Sequence, residues 1–172
     1  MALILGIDPG SHVTGFGLIK YNEKKREAAE HLSHGIILMP KDQALPMRLK
    51  VLSESMSELL SKYRPTDVVI EKIFMGKSAE SAFKLGHARG VVMSLAAMSG
   101  AQVYEYATRL VKKGVAGSGS ADKLQVKELV QHLLRLSEIK HLDASDALAM
   151  ALYHSQALAT QRVLRGMKEN TL

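Results

Sequence analysis

The chain opens on a short apolar run, 2–8, that ends in Asp8-Pro9-Gly10, the pattern of a buried strand delivered into a turn. A second run, 14–20, carries glycines at 15 and 17 and is closed by the charged stretch Asn22-Glu23-Lys24-Lys25-Arg26. A third strand follows at 28–38, so three strands joined by short turns predict an antiparallel meander. The period then changes: Leu45, Leu49, Leu52, Met56, Leu59, Leu60 and Tyr63 recur at helical spacing over 44–63, and Pro65 stops the helix. A buried-type strand at 67–71 ends in Glu71. A helix at 80–98 closes at Gly100, and a fifth strand lies at 102–106. Gly114, Gly117 and Gly119 predict a loop over 112–120. A helix at 121–136 has Leu129, Val130, Leu133 and Leu134 on one side. The last helix begins near 143 and runs past Tyr153, and the tail from Gln161, with Arg162, Arg165 and Lys168, is expected to fray. The order β-β-β-α-β-α-β-α-α, without repeat or linker, predicts one α/β domain over 1–172: a five-stranded mixed sheet flanked by helices. Met39, Met56, Met93, Met98 and Met150 sit in apolar stretches and read as core.

Composition narrows the chemistry. With 172 residues, 47% hydrophobic and 23% charged, the chain can bury a full core without staples. The absence of cysteine excludes a disulfide scaffold, thiol catalysis and cysteine-held metals. No tryptophan and 5% aromatics argue against a binder built on base stacking. No leader-like start and no long apolar run are present, so a cytoplasmic protein with no membrane partner is expected. The net charge of +6 permits a polyanionic partner.

Four carboxylates stand where acids are costly. Asp8 and Glu71 end apolar strands, and Asp143 and Asp146 lie three apart, on one face of a helix turn. Each alone has an ordinary explanation: Asp143 as a helix N-cap, Asp8 as a turn starter, Glu71 as a partner of Lys72. If the first and fourth strands are neighbours, however, Asp8 and Glu71 share a sheet edge, and a helix across that edge brings Asp143 and Asp146 to them. Four acids in one pocket repel unless divalent cations join them, and all-oxygen ligands favour Mg²⁺ or Mn²⁺. Two such ions would clamp the attacking and leaving oxygens of a phosphodiester, with Asp8 between them, Glu71 on one and Asp143 and Asp146 on the other.

Gly6-Ile-Asp-Pro-Gly10 with Thr14-Gly-Phe-Gly17, Val69-Ile-Glu-Lys-Ile-Phe-Met75, Ala82-Phe-Lys-Leu-Gly-His-Ala-Arg-Gly90, Val115-Ala-Gly-Ser-Gly-Ser-Ala-Asp-Lys123 and Asp143-Ala-Ser-Asp-Ala-Leu-Ala149 together resemble the RuvC family of crossover junction endodeoxyribonucleases. The resemblance implies a ribonuclease-H-like fold and a homodimer that resolves four-way (Holliday) junction DNA. Each subunit would nick one strand with two Mg²⁺ ions, for which Mn²⁺ substitutes, beside the RuvA–RuvB branch-migration machinery. The family's acidic tetrad falls on Asp8, Glu71, Asp143 and Asp146. Phe74 would stack on an unpaired base, and Lys112 and Lys123 match lysines important for activity. Lys77, Lys84, Arg89, Arg109, Lys112, Lys113 and Lys123 lie near the predicted acidic edge and would hold the DNA backbone. Gly15 and Gly17 suggest the close approach of another backbone or the substrate, and Gly86 and Gly90 allow tight packing on the helix at 80–98, whose apolar face is the expected dimer contact. His141 lies close enough in sequence to reach the site. An actin-like nucleotide-binding module, a nuclease for RNA–DNA hybrids and an inactive DNA-binding relative are the rival readings.

Overall fold

The computed structural model describes residues 1–22, 29–72 and 79–169. Three strands, β1 (Ala2–Asp8), β2 (Val13–Tyr21) and β3 (Glu30–Leu38), form the expected antiparallel meander. β4 (Asp67–Glu71) joins β1 in parallel and β5 (Gln102–Tyr106) joins β4, giving the order β3-β2-β1-β4-β5. The first strand is thus the middle of the sheet.

β1 is apolar on both faces because both are covered. Leu5 and Ile7 face a core with Leu18, Val68 and Ile70 that is closed by Leu52 and Met56 of α1 (Leu45–Tyr63) and Val92 of α2 (Ala79–Met98). Ile4 faces the other core, with Ile19 and Val69, which is closed by α3 (Thr108–Ala116), α4 (Lys123–Leu134) and α5 (Leu142–Glu169).

α5 lies directly on the sheet because glycines make room for it. A Cβ at Gly6 would fall on the Ala147 carbonyl, and one at Gly15 on the Asp143 carbonyl. At Gly17 it would stand 2.6 Å from Leu148 Cγ. The close approach expected at Gly15 and Gly17 is therefore that of α5, not of substrate.

Four expectations are corrected. Residues 108–116 form α3 rather than part of a loop; Gly114 sits inside it because a side chain there would strike the Tyr153 ring on α5, and Gly117, at φ 75°, ends it. A glycine chosen for packing mimics a loop signal. The buried row of α4 is Val126, Val130 and Leu134, while Leu129 and Leu133 are exposed; the helix begins one residue after Asp122, whose carboxylate accepts from Gln125 N–H in a capping box. The tail does not fray at 161, since α5 continues to Glu169. Met98 is exposed rather than core.

Candidate functional site

Parallel pairing of β1 with β4 matches Ile7 to Ile70, so Asp8 and Glu71 leave the sheet side by side at its carboxyl edge. Across the other neighbour, Asp8 pairs with Gly15, and Gly15 lies beneath the Asp143 carbonyl. The first turns of α5 therefore stand over that edge. Asp8, Glu71 and Asp146 line one cleft together with Thr108, Lys112 and Lys123. Asp143 is half-buried behind its wall, and its charge reaches both Asp8 and Asp146.

The cleft is short of positive charge. Burial, and then the charges of Glu71, Asp146 and Asp143, push the Asp8 carboxyl from 3.8 up to about 8, with Lys123 pulling only weakly the other way. Burial likewise raises Asp146, although Lys123 Nζ sits 2.8 Å from its Oδ2. That hydrogen bond raises Lys123 in turn, against its own burial. Thr108 donates to Glu71 Oε1. With Asp146 held by Lys123 and Glu71 by Thr108, no three acidic or histidine side chains among the described residues are drawn together around a single point. The donor set still fits a hard divalent cation. Every acidic donor is a carboxylate, and a carboxyl whose pKa burial and then its acidic neighbours push up to about 8 is one that added positive charge would ionise.

The basic residues divide. Lys112 lines the cleft and donates from Nζ to the Ala121 carbonyl at 2.7 Å, tying α3 to the start of α4. Arg109 and Lys113 are exposed on α3, and Arg109 packs over Gly119, where a Cβ would meet its Cγ at 2.7 Å. Arg89 is engaged within the chain at a partly exposed position: it pairs with Glu105 and donates to the Glu71 carbonyl at 3.3 Å, bracing the end of β4. Lys84 is half-buried on α2. Phe74 and Lys77 lie outside the described residues. His141 is exposed, and its carbonyl accepts from Ser145 N–H. Asp143 lies within the first turn of α5 rather than at its cap, and Glu71 takes Thr108, not Lys72, as its partner.

Two features escaped the sequence. Thr108 opens a helix that the glycines concealed. His154, 1% exposed, links Tyr106 Oη (2.8 Å from its Nδ1) to Asp67 Oδ1 (3.6 Å from its Nε2), a buried polar chain tying α5 to β4 and β5. Burial pushes Asp67 up, but the neighbouring His154 ring and the hydrogen bond from the Thr66 hydroxyl outweigh it and hold the carboxyl below its usual range. The signal was a histidine amid the apolar run of α5.

Residues 4–154 match the family model described as crossover junction endodeoxyribonuclease RuvC. The protein of that name from Bdellovibrio bacteriovorus is 54% identical over 153 residues, covering 89% of each chain. That from Saccharophagus degradans is 45% identical over 169 residues, covering 98% of this chain and 96% of the other. Among solved structures, Thermus thermophilus RuvC in complex with Holliday junction substrate superposes with a TM-score of 0.86 at 30% identity, covering 94% of this chain and 97% of that one. A yeast mitochondrial Holliday junction resolvase, at 14% identity and a TM-score of 0.71, shares the fold. With its family match, its sheet order and four acids gathered at the carboxyl edge of one sheet, the chain belongs to the RuvC family of crossover junction endodeoxyribonucleases.

Proposed function

We propose that this protein is a Holliday junction resolvase, a metal-dependent endodeoxyribonuclease of DNA recombination and repair that makes paired, symmetric nicks in four-way DNA. The observation that carries this reading is the gathering of Asp8, Glu71, Asp146 and, behind them, Asp143 at one cleft mouth. Asp8, Glu71, Asp143 and Asp146 would hold two Mg²⁺ ions, with Mn²⁺ as a substitute. When bound, such ions supply positive charge at the scissile phosphate and lower the pKa of the attacking water. The chain's own residues do the rest. Asp8, central in the sheet, fixes the reacting centre, and Thr108 orients Glu71 through its hydroxyl. Lys123 neutralises Asp146 in the cleft and stands where it can meet phosphate charge. Lys112 holds the wall formed by the start of α4.

Cutting both strands of a junction symmetrically calls for two sites about a twofold axis, hence a homodimer. α2 supports this. Phe83 is 71% and Met98 80% exposed, and among the described residues a Cβ at Gly86 or Gly90 would meet nothing within 4 Å, leaving a smooth face for a second helix. No helix among the described residues is long and apolar enough to cross a membrane, in keeping with work in the cytoplasm beside RuvA–RuvB.

The test is to incubate the protein with Mg²⁺ and a labelled four-way junction, linear duplex, RNA–DNA hybrid or ATP. Symmetric nicks in the junction alone are expected. Cleavage of hybrid instead, or turnover of ATP, overturns the reading.

A further inference from the structure

α5 brings Asp143 and Asp146 to the cleft on a smooth face. Ala144, Ala147 and Ala151 are buried where the helix lies against Gly6 and Gly15. Small apolar side chains on glycine let the helix lie close to the sheet, but apolar burial is non-directional and does little to fix its position along the strands. The acids at the cleft do not fix it either, since they repel one another.

A polar anchor farther along α5 supplies what both lack. His154 is fully buried, with Nδ1 2.8 Å from Tyr106 Oη and Nε2 3.6 Å from Asp67 Oδ1. The Tyr106 hydroxyl, pushed up to about 12 by burial above all, keeps its proton and donates to Nδ1. The ring proton then lies on Nε2, which faces the carboxylate and has no hydrogen-bond partner of its own. Both partners of His154 are fixed to the sheet. Asp67 Oδ2 accepts from the Thr66 hydroxyl at 2.6 Å, and that hydroxyl accepts from Leu3 N–H of β1 at 3.0 Å. Tyr106 lies opposite Glu71 in the ladder, and its carbonyl accepts from Lys72 N–H at 2.8 Å.

Helix and strand match in length between these two contacts. From Asp146 to His154 α5 rises about 12 Å, and from Glu71 back to Asp67 β4 spans about 13 Å. α5 therefore runs antiparallel to β4, with Asp146 in the cleft beside Glu71 and His154 at Asp67. A slide of the helix along the strand moves both ends together.

We propose that His154 is a positioning residue of the acidic site: held between Tyr106 and Asp67, it sets the register of α5 on β4, and with it the spacing of Asp143 and Asp146 from Glu71 and Asp8 that divalent-cation capture requires. This rests on the reading of the four acids as a divalent-cation site.

The experiment is Mn²⁺ binding to the full chain without DNA, followed by loss of the free-ion electron paramagnetic resonance signal. His154→Leu keeps an apolar side chain in place and removes both polar ends; its Mn²⁺ Kd is expected to rise about tenfold. Tyr106→Phe removes one hydroxyl and leaves the ring against Tyr153, with a rise of about fivefold expected. His154→Gln accepts at one end and donates at the other, and its Kd should stay within about twofold of wild type. Leu60→Ala loosens the opposite core, on the α1 side, and should lower the Tm without moving the Kd. A wild-type Kd in His154→Leu and Tyr106→Phe overturns the proposal, and should His154→Leu not fold, Tyr106→Phe decides alone. Equal weakening in Leu60→Ala also overturns it, because the effect is then one of general stability. So does a loss in His154→Gln as large as in His154→Leu. If the wild-type protein takes up no Mn²⁺, the reading of the acids as a cation site fails first and the proposal with it.

Discussion

Among the described residues, Asp8 carries a large electrostatic consequence. Its carboxyl is lifted from 3.8 to about 8 by burial and by three acidic neighbours. In the unfolded chain it loses its proton near pH 4. Between about pH 4 and pH 8 the unfolded state therefore holds fewer protons than the folded state, and the metal-free protein loses stability as pH rises. Asp8→Asn removes that cost. In chelator at pH 8 its Tm is expected to exceed wild type by roughly 5 °C, whereas at pH 4 the two should coincide; scanning calorimetry at both pH values checks this. The same variant is expected to lose junction cleavage by at least about 10³-fold while retaining junction binding, and cleavage at the wild-type rate with Mg²⁺ would remove Asp8 from the reaction. The misplaced acids were legible in sequence because a carboxylate closing an apolar strand is costly anywhere. The partners Lys123 and Thr108 were legible only in part, since a lone lysine or threonine in a polar stretch resembles any surface residue.

At the scale of the element, α5 decides the site. It delivers Asp143 and Asp146, and it reaches the sheet only because β1 and β2 present Gly6, Gly15 and Gly17 beneath it. Gly15→Ala places a methyl group on the Asp143 backbone, which no side-chain rotation can relieve. We expect this variant to lose about 1–3 kcal/mol of stability in urea titration and most of its cleavage activity, because α5 must lift. Gly114→Ala is the contrast. Its methyl group meets the Tyr153 ring, which can turn aside, and alanine favours the helix. Cleavage should stay within about threefold of wild type, since this clash is side-chain only. The strands and α1 were legible because their apolar spacing is regular, whereas α3 was hidden by glycines whose purpose is contact with α5. The buried face of α4 differs from the expected one because Leu129, Val130, Leu133 and Leu134 spread over a wide arc of the helix, and only the partner helix decides which of them face inward.

At the scale of the molecule, the open face of α2 is where the proposed second copy would dock. Phe83→Asp is expected to shift the protein from dimer to monomer in sedimentation equilibrium while leaving its Tm nearly unchanged, because Phe83 is 71% exposed in the single chain. Junctions should then be nicked on one strand without the paired second cut. Monomers that still make coordinated cuts would place the interface elsewhere. The net charge of +6, which alone only permits a polyanion, resolves into a cleft where three acids and the cations Lys112 and Lys123 stand together. Its absolute value understates both parts, since opposite charges cancel in a sum but not in space.

The sequence by itself determined the layered α/β class, the meander and the family, and it singled out Asp8, Glu71, Asp143 and Asp146 as acids in costly places. Those follow from local periodicity, the cost of buried charge and ordered motifs, all of which are written in neighbouring residues. Only the tertiary structure decided that Gly15 and Gly17 serve α5, that Arg89 is spent on Glu105, that Thr108 holds Glu71 and that Arg48 stands buried beneath the turn after Asp8. Each of these pairs residues at least 16 apart, and which distant groups meet depends on how strands cross and helices lie down, a property of packing that no local pattern records.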